Sequence, residues 1–253
     1  MSIADVDEVL YLWQGAGYYA RARRLHECAV RIVSEHGGHV PSDYDQLLDL
    51  PGIGPYTAAA VSSIAFGGEY ACADGNIRRV MSRYNAIEDV RPTDVQSWAS
   101  DQLEPRCPGD WNQAMMELGA LICTPKSPRC SECPLLISCR GKEEPTKYPR
   151  PKTRRTVQIT LHAIIEMGND GNPRLYKRPE EGLFGGMWGP ILRPEGTIFD
   201  GIKKVGTIHH TLSHKEITVV VYVQSFDGNG QLPSAFPLSV MDKKILNVAG
   251  VDI

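Results

Sequence analysis

The stretch Cys123-Thr-Pro-Lys-Ser-Pro-Arg-Cys130-Ser-Glu-Cys133-Pro-Leu-Leu-Ile-Ser-Cys139 places four of the chain's seven cysteines in the spacing C-x6-C-x2-C-x5-C. Short loops between cysteines let four thiolates converge on one centre, so this spacing favours metal binding over disulfide pairing. On spacing alone, a structural zinc knuckle and an iron–sulfur cluster are comparable interpretations. The choice between zinc and an iron–sulfur cluster therefore depends on the segments that precede the cysteines.

Two motifs precede the cysteines in a fixed order. Leu50-Pro51-Gly52-Ile53-Gly54 predicts a hairpin between two helices, and the segment Ala73-Asp74-Gly75-Asn76 follows it. Together with the cysteines, these motifs resemble the endonuclease III-like, helix-hairpin-helix DNA glycosylases, which carry a 4Fe-4S cluster. The resemblance therefore implies that a cluster, rather than zinc, is held by Cys123, Cys130, Cys133 and Cys139.

Length and composition fit a globular protein without a membrane span. The 253 residues suffice for two modest cores, and 42% of them are hydrophobic. No apolar run approaches a membrane span and no signal pattern opens the chain, so we expect a reducing compartment. That compartment is the cytoplasm of a prokaryote, with the protein bound to the nucleoid, or the nucleus or mitochondrion of a eukaryote. The net charge of −3 does not by itself indicate a nucleic-acid partner.

Local charge is a different matter, because arginines are concentrated in two short stretches that could form basic surfaces. The alternative for each of these side chains is a solvated helix face. The arginines concerned are Arg21, Arg23, Arg24, Arg78, Arg79 and Arg83.

Helical patterns dominate the chain before the cysteines. Thr93 and Gln96, after Pro92, match a capping box and predict the start of a helix that continues through Leu103. Residues 112–122 predict another helix, which runs into the first cysteine. We therefore expect a helix-hairpin-helix glycosylase domain with an iron–sulfur cluster loop over residues 1–140.

The pattern changes after the cysteines. Residues 141–155 are rich in Pro, Lys, Arg and Glu without apolar periodicity, which predicts a linker. Beyond it, Thr156–Ile165 and Glu216–Val223 are rich in β-branched residues and predict strands of a smaller domain over residues 156–253. The predicted fold class is therefore mainly α with a second α+β domain.

The segment Leu183-Phe184-Gly185-Gly186-Met187-Trp188 resembles the Nudix-like carboxy-terminal domain of adenine DNA glycosylases (the MutY family), to which the chain is most similar. The glutamate-rich metal-binding motif of Nudix hydrolases is missing, so we expect no pyrophosphate hydrolysis. The resemblance implies an 8-oxoguanine-recognition domain instead.

The resemblance assigns catalytic roles to three residues. Asp74 is the carboxylate that stabilises the sugar cation when an N-glycosidic bond breaks, and Asn76 is its polar neighbour. Tyr56 occupies the position where strand-cleaving relatives carry a Schiff-base lysine, so a strand-cleaving lyase is disfavoured. Without the motif, Asp74-Gly75 would predict only a turn and Tyr56 only helix packing.

The remaining assignments concern DNA. Glycines in a hairpin let the backbone approach a phosphate, and Gly52 and Gly54 are the predicted contacts, although Gly-rich turns are common. Glu117 resembles the residue that recognises the flipped adenine, and Tyr18 resembles an aromatic wedge beside the damaged base. The segment His209-His210-Thr211-Leu212-Ser213-His214 resembles the loop that recognises 8-oxoguanine, through Leu212, Ser213 and His214. A polar turn ranks second for this segment and a metal site third.

These assignments predict a monomeric, monofunctional glycosylase that removes adenine mispaired with 8-oxoguanine or guanine in double-stranded DNA. The family's catalytic glutamate lies upstream of the segment that here begins at Gly15, and we expect no counterpart of it in this chain. The alternative hypothesis is therefore a catalytically inactive remnant that binds 8-oxoguanine pairs. A truncated record of an active enzyme would also explain the missing glutamate.

Overall fold

The structure is a computed structural model that describes residues 1–151, 156–196 and 202–253. The chain divides into two compact units, Arg31–Thr153 and a combination of Met1–Val30 with Arg154–Ile253. We call the first the helical unit and the second the sheet unit. Because residues 1–30 group with the sheet, the division differs from the predicted domain of residues 1–140.

Asp7 shows why the amino-terminal residues belong to the sheet unit. Its carboxylate accepts a hydrogen bond from the Trp188 indole at 3.0 Å and lies 2.7 Å from the Lys177 ammonium. Sequence periodicity cannot reveal such contacts, since they join residues about 170 or more positions apart.

Eight α-helices are present among the described residues, and none is both long and apolar enough to cross a bilayer. Their bounds are α1 Val6–Leu12, α2 Ala20–Glu35, α3 Tyr44–Leu48, α4 Pro55–Phe66, α5 Gly75–Asn85, α6 Pro92–Gln102, α7 Pro108–Glu117 and α8 Val240–Val248.

The start of α6 differs from the predicted capping box. The helix begins at Pro92, and Arg91 rather than Thr93 is the N-cap residue. Asp94 explains the shift, because its carboxylate accepts the Arg91 backbone N–H at 3.3 Å. Gln96 instead donates to the Ala71 carbonyl at 3.0 Å, and so ties α6 to the segment before α5.

The helix predicted over residues 112–122 is present, but its bounds and winding differ. α7 ends at Glu117, and Leu118–Ile122 form a π-helix. Gly119 allows this segment to lie against the start of α5, because a Cβ there would be 2.5 Å from the Asn76 Cβ. π-helical turns are frequent at functional sites.

Residues 141–151 form part of the helical unit rather than a free linker. The Gly141 N–H donates to the Arg83 carbonyl and the Arg150 N–H donates to the Glu88 carbonyl, both at 2.9 Å. These two hydrogen bonds attach residues 141–151 to the end of α5 and to the turn that follows it. The predicted linker residues 152–155 lie outside the described residues.

The sheet unit is built on one mixed sheet with the order β2-β1-β7-β6, in which β5 also pairs with β1. β1 and β7 are parallel, and the pairs β1–β2, β1–β5 and β6–β7 are antiparallel. A separate ribbon pairs β3 with β4. The strands are β1 Val157–Met167, β2 Pro173–Arg174, β3 Tyr176–Lys177, β4 Trp188–Gly189, β5 Ile191–Pro194, β6 Lys203–Leu212 and β7 Lys215–Ser225. The two predicted strands are confirmed within β1 and β7.

Each unit has its own apolar core. In the sheet unit, Val219 and Val221 of β7 pack with Met241 and Ile245 of α8, and all four are fully buried. A second cluster joins α1 and α2 to Met187. The helical core includes Cys72 and runs through α4 to α7.

Candidate functional site

The hairpin between α3 and α4 is a tight turn that leads directly into the first turn of a helix. Gly52 has φ = +79°, a conformation that favours glycine, and Gly54 is the N-cap of α4 with Pro55 in the first turn. Buried Leu50 anchors the turn, and its carbonyl accepts the Ile53 N–H at 3.1 Å. Gly54 offers no side-chain cap, so first-turn N–H groups of α4 can bind an anion.

Asp74 is the N-cap residue of α5, and both of its carboxylate oxygens are held. Oδ1 accepts the Ile77 backbone N–H at 2.7 Å, and Oδ2 accepts the Asn76 Nδ2 at 2.9 Å. The Asp-Gly-Asn sequence therefore forms an N-cap rather than a simple turn. Its carboxylate is fixed in direction and only partly buried.

Arg79 continues this network, although its place in an arginine-rich stretch did not indicate this role. Its guanidinium donates to Asn76 Oδ1 at 2.9 Å, to the Gly119 carbonyl at 2.6 Å and to the Cys123 carbonyl at 2.7 Å. Burial, and then the charge of nearby Arg83, lower the pKa of Arg79. Arg79 therefore links the Asp74–Asn76 pair to the backbone of the first cysteine.

Tyr56 lies in the first turn of α4 with 42% of its surface exposed. Its hydroxyl donates to the Met116 Sδ at 3.4 Å. Burial, followed by the charge of Asp74, raises the pKa of Tyr56. Asp74 and Tyr56 therefore interact electrostatically, and the phenol stays protonated at neutral pH.

Glu117 is the last residue of α7, and its side chain is exposed. Two residues later Gly119 contacts Asn76, so the end of α7 lies close to the start of α5. Met116, next to Glu117, contacts Tyr56. The helical unit thus brings together Tyr56, Asp74 and Asn76, and Glu117 follows directly after the residue that contacts Tyr56.

The four predicted cysteines line one cavity, together with Arg83. None of the seven cysteines, all of which lie in the described residues, forms a disulfide. Burial raises the pKa of Cys133 and of Cys139. In the described part of the chain, no group of three or more His, Cys, Asp or Glu side chains is arranged around a single metal-ion position.

Arg83 is buried beside this cavity, with 3% of its surface exposed. Its guanidinium donates to the Cys123 Sγ at 3.3 Å, to the Thr124 carbonyl at 2.8 Å and to the Tyr148 carbonyl at 3.0 Å. Its burial fits neither alternative considered for the arginine-rich stretches, a basic surface or a solvated helix face. Arg83 instead binds backbone carbonyls at the start of the cysteine segment and in the segment that follows it.

The predicted 8-oxoguanine residues come together in the sheet unit. Ser213 and His214 form the two-residue turn between β6 and β7, and Leu212 is the last residue of β6. The Tyr18 hydroxyl lies 2.6 Å from the Ser213 Oγ, and 66% of the Tyr18 surface is exposed. The Arg21 guanidinium is 5.5 Å from the centre of the Tyr18 ring.

These residues line a pocket of about 810 Å³, with Arg21, Arg23, Arg24 and Lys215 also in its wall. None of the lining residues carries a carboxylate. Such a pocket favours an anionic ligand with a planar group that can stack on Tyr18.

Comparison with protein families finds one match in the amino-terminal part. Residues 1–105 match the model described as HhH-GPD superfamily base excision DNA repair protein.

Curated relatives extend the similarity over most of the chain. Human adenine DNA glycosylase is 48% identical over 94% of this chain and 57% of the human protein. The Rattus norvegicus adenine DNA glycosylase is 31% identical over 94% of this chain and 60% of its own length. The Mycolicibacterium smegmatis adenine DNA glycosylase is 42% identical over 60% of this chain and 52% of its own length. The chain thus spans little more than half the length of these relatives.

Two solved structures of DNA glycosylases match part of this fold. A thermostable thymine-DNA glycosylase is 31% identical with a TM-score of 0.53, and the match covers 56% of this chain and 68% of that one. Endonuclease III in a non-covalent DNA complex is 28% identical with a TM-score of 0.51, over 56% of this chain and 67% of that one.

Proposed function

The chain belongs to the HhH-GPD superfamily of base excision DNA repair proteins, and on that premise we propose that it is a monofunctional adenine DNA glycosylase. Its substrate is adenine mispaired with 8-oxoguanine or guanine in double-stranded DNA. The observation that carries the proposal is the Asp74 carboxylate, which is held by the α5 backbone and by Asn76 and interacts with Tyr56.

The reaction breaks the bond between the sugar C1′ and adenine N9. Water adds to C1′, adenine leaves as the neutral base after gaining a proton, and an abasic site remains. Because the bond is out of reach in the duplex, the adenine has to leave the base stack first. As the bond breaks, positive charge develops on the sugar, and the oriented Asp74 carboxylate stabilises it.

Tyr56 supports a glycosylase without strand cleavage. Strand cleavage by β-elimination needs an amine that forms a Schiff base with C1′. Tyr56 supplies a phenol, whose raised pKa and contact with Met116 make it a poor nucleophile at neutral pH. Tyr56 and Asn76 shape the pocket around the sugar, and the abasic strand stays intact.

Recognition is divided between the two bases of the mispair. Exposed Glu117 accepts hydrogen bonds from the extruded adenine, and the hairpin glycines Gly52 and Gly54 bind a backbone phosphate. The 8-oxoguanine is recognised in the sheet unit, where Tyr18 stacks on it and Leu212, Ser213 and His214 contact its edge. A monomer carries both sets of residues.

A 4Fe-4S cluster fits the cysteine cavity better than zinc does. A zinc ion needs four ligands around one position, with sulfurs about 2.3 Å from the metal. In such a cluster each cysteine binds a different iron, so the sulfurs can line a wider cavity. The four cysteines do line one cavity, whereas no group of three such side chains among the described residues surrounds a single-ion position. When bound, the cluster stabilises residues 123–139 as a structural element.

The sheet unit fits the recognition role and not a hydrolytic one. We propose that the described residues of 156–253 form a Nudix-like domain that lacks the metal-binding glutamates of a Nudix hydrolase. The protein acts where DNA is: at the nucleoid in a prokaryotic cytoplasm, or in the nucleus or mitochondrion of a eukaryote.

The test is strand breakage at adenine in labelled duplexes that contain A:8-oxoguanine, A:G or A:T, under single-turnover conditions. We expect breakage of the first two only, and only after alkali, since alkali cleaves abasic sites. Breakage without alkali would indicate a lyase. Tight binding of A:8-oxoguanine without any breakage would indicate the inactive remnant instead.

A further inference from the structure

The loop between β3 and β4 is closed on itself and tied to α2. Backbone hydrogen bonds join the Gly186 N–H to the Pro179 carbonyl at 3.1 Å and the Met187 N–H to the Phe184 carbonyl at 3.1 Å. We call residues 179–187 the pocket loop, because residues 182–185 line the pocket that contains Tyr18 and Ser213.

Arg23 of α2 holds this loop from one side. Its guanidinium donates to the Glu180 carbonyl at 2.6 Å and also to the Gly185 carbonyl. A Cβ on Gly186 would lie 3.2 Å from the Arg23 Cδ, and Gly186 has φ = +77°. The loop therefore uses a glycine where the arginine side chain passes. A guanidinium presents its donors as a rigid planar fork that can span two carbonyls in one fixed geometry, whereas a lysine ammonium is a single point charge on a flexible stem.

Phe184, between the two bonded carbonyls, has an unusual backbone conformation. Its φ is +53°, a region that non-glycine residues rarely adopt. Its ring makes edge contacts with the rings of Tyr19 and His210, with ring centroids 6.1 Å and 5.9 Å apart, respectively. Such a conformation persists only where surrounding contacts impose it, and these cases cluster at ligand sites.

We propose that Arg23 is a positioning residue that sets the shape of the 8-oxoguanine pocket by clamping the pocket loop. Its two carbonyl contacts hold Phe184 between Tyr19 and His210, and so fix the wall opposite Tyr18 and Ser213. This inference rests on the proposed function, because it assigns the pocket to 8-oxoguanine. Arg23 itself acts through the loop, since its guanidinium is engaged with backbone carbonyls.

The first test is hydrogen exchange of the Gly186 and Met187 amides in the full chain. Arg23→Gln should raise their exchange rates at least tenfold over wild type. Arg24→Gln is the matched control, because it removes the same charge from the same pocket wall and should leave these two amides unchanged. Arg23→Lys keeps the charge but loses the planar fork that spans the two carbonyls, so it should also raise exchange; it provides the test if Arg23→Gln does not fold.

The second test compares binding of duplexes with A:8-oxoguanine and A:G. Arg23→Gln and Arg23→Lys should reduce the preference for 8-oxoguanine over guanine at least fivefold. Unchanged exchange would overturn the clamp, and faster exchange with an unchanged preference would overturn its role in recognition. A wild-type protein without any preference would overturn the proposed recognition function, while the exchange experiment still decides the clamp.

Discussion

Replacing Asp74 by asparagine separates its catalytic role from its structural one. As the N-cap of α5, Asp74 accepts the Ile77 N–H through one oxygen and the Asn76 amide through the other. Asparagine caps helices about as well as aspartate, so Asp74→Asn keeps the first contact. It loses the negative charge and places an amide where the second oxygen accepts a hydrogen bond.

The expected cost in stability is small. The lost charge at the helix N-terminus accounts for about 0.3–1 kcal/mol. The lost hydrogen bond to Asn76 accounts for about 0.5–1.5 kcal/mol. The free energy of unfolding should therefore fall by about 1–2.5 kcal/mol, out of the roughly 5–15 kcal/mol that a domain has.

The expected cost in rate is much larger. Removing one oriented group that stabilises transition-state charge costs about 10²–10³-fold, or about 3–4 kcal/mol. The variant should therefore stay folded, and bind A:8-oxoguanine duplex, at a temperature where wild type is assayed. Its single-turnover adenine release should be at least about 100-fold slower than wild type.

The assay combines thermal unfolding, duplex binding and single-turnover release on the same preparations. A variant that is folded, binds DNA and releases adenine within threefold of the wild-type rate would refute the role of Asp74. Loss of release that tracks loss of folded protein would show that the residue acts only as a helix cap.

Three further predictions concern the surroundings of the site. Asn112→Ala removes three hydrogen bonds that a fully buried side chain makes, so it should lower the free energy of unfolding by about 2–5 kcal/mol. Gln113→Ala, at an exposed position, should change that free energy by less than about 1 kcal/mol. Denaturant titrations of both variants check the difference. Burial raises the pKa of the Cys72 thiol from 9.0 to about 11, so the folded state holds this proton more tightly than the unfolded state does. The contribution of Cys72 to the free energy of unfolding is therefore complete below pH 9. As the pH rises from 9 to 11, that contribution is lost, by up to about 3 kcal/mol. Melting curves at pH 8 and pH 11 check this: the decrease should be smaller in Cys72→Ala, and an equal decrease would contradict it. Tyr56→Lys should cleave the strand without alkali and be trapped on DNA by borohydride, whereas Tyr56→Phe should do neither. Absence of a trapped complex with Tyr56→Lys would place residue 56 away from the sugar.

The sequence was sufficient for those parts of the site that lie in short motifs. The hairpin and the shared cavity of the cysteines each depend on residues that are close along the chain, whereas the N-cap role of Asp74 was not predicted. The predicted start of α6 was wrong. The prediction paired Gln96 with an N-cap at Thr93, whereas in the structure Asp94 pairs with the N-cap residue Arg91, and both residue types are compatible with the third position of a helix.

Long-range contacts could not be predicted. Arg79 and Arg83 stand in an arginine-rich stretch that suggests a basic surface, yet both turn inward to carbonyls some 40 residues away. The contact between Tyr18 and Ser213 spans 195 positions, and no local pattern encodes it. The grouping of residues 1–30 with the sheet follows from contacts of the same kind.

The most direct test of the central claim is chemical identification of the released base. Wild-type chain is incubated with a duplex containing one A:8-oxoguanine pair, and the products are analysed by mass spectrometry. The account predicts free adenine in a one-to-one ratio with an intact strand bearing an abasic site. A fully bound duplex that yields no adenine would contradict it.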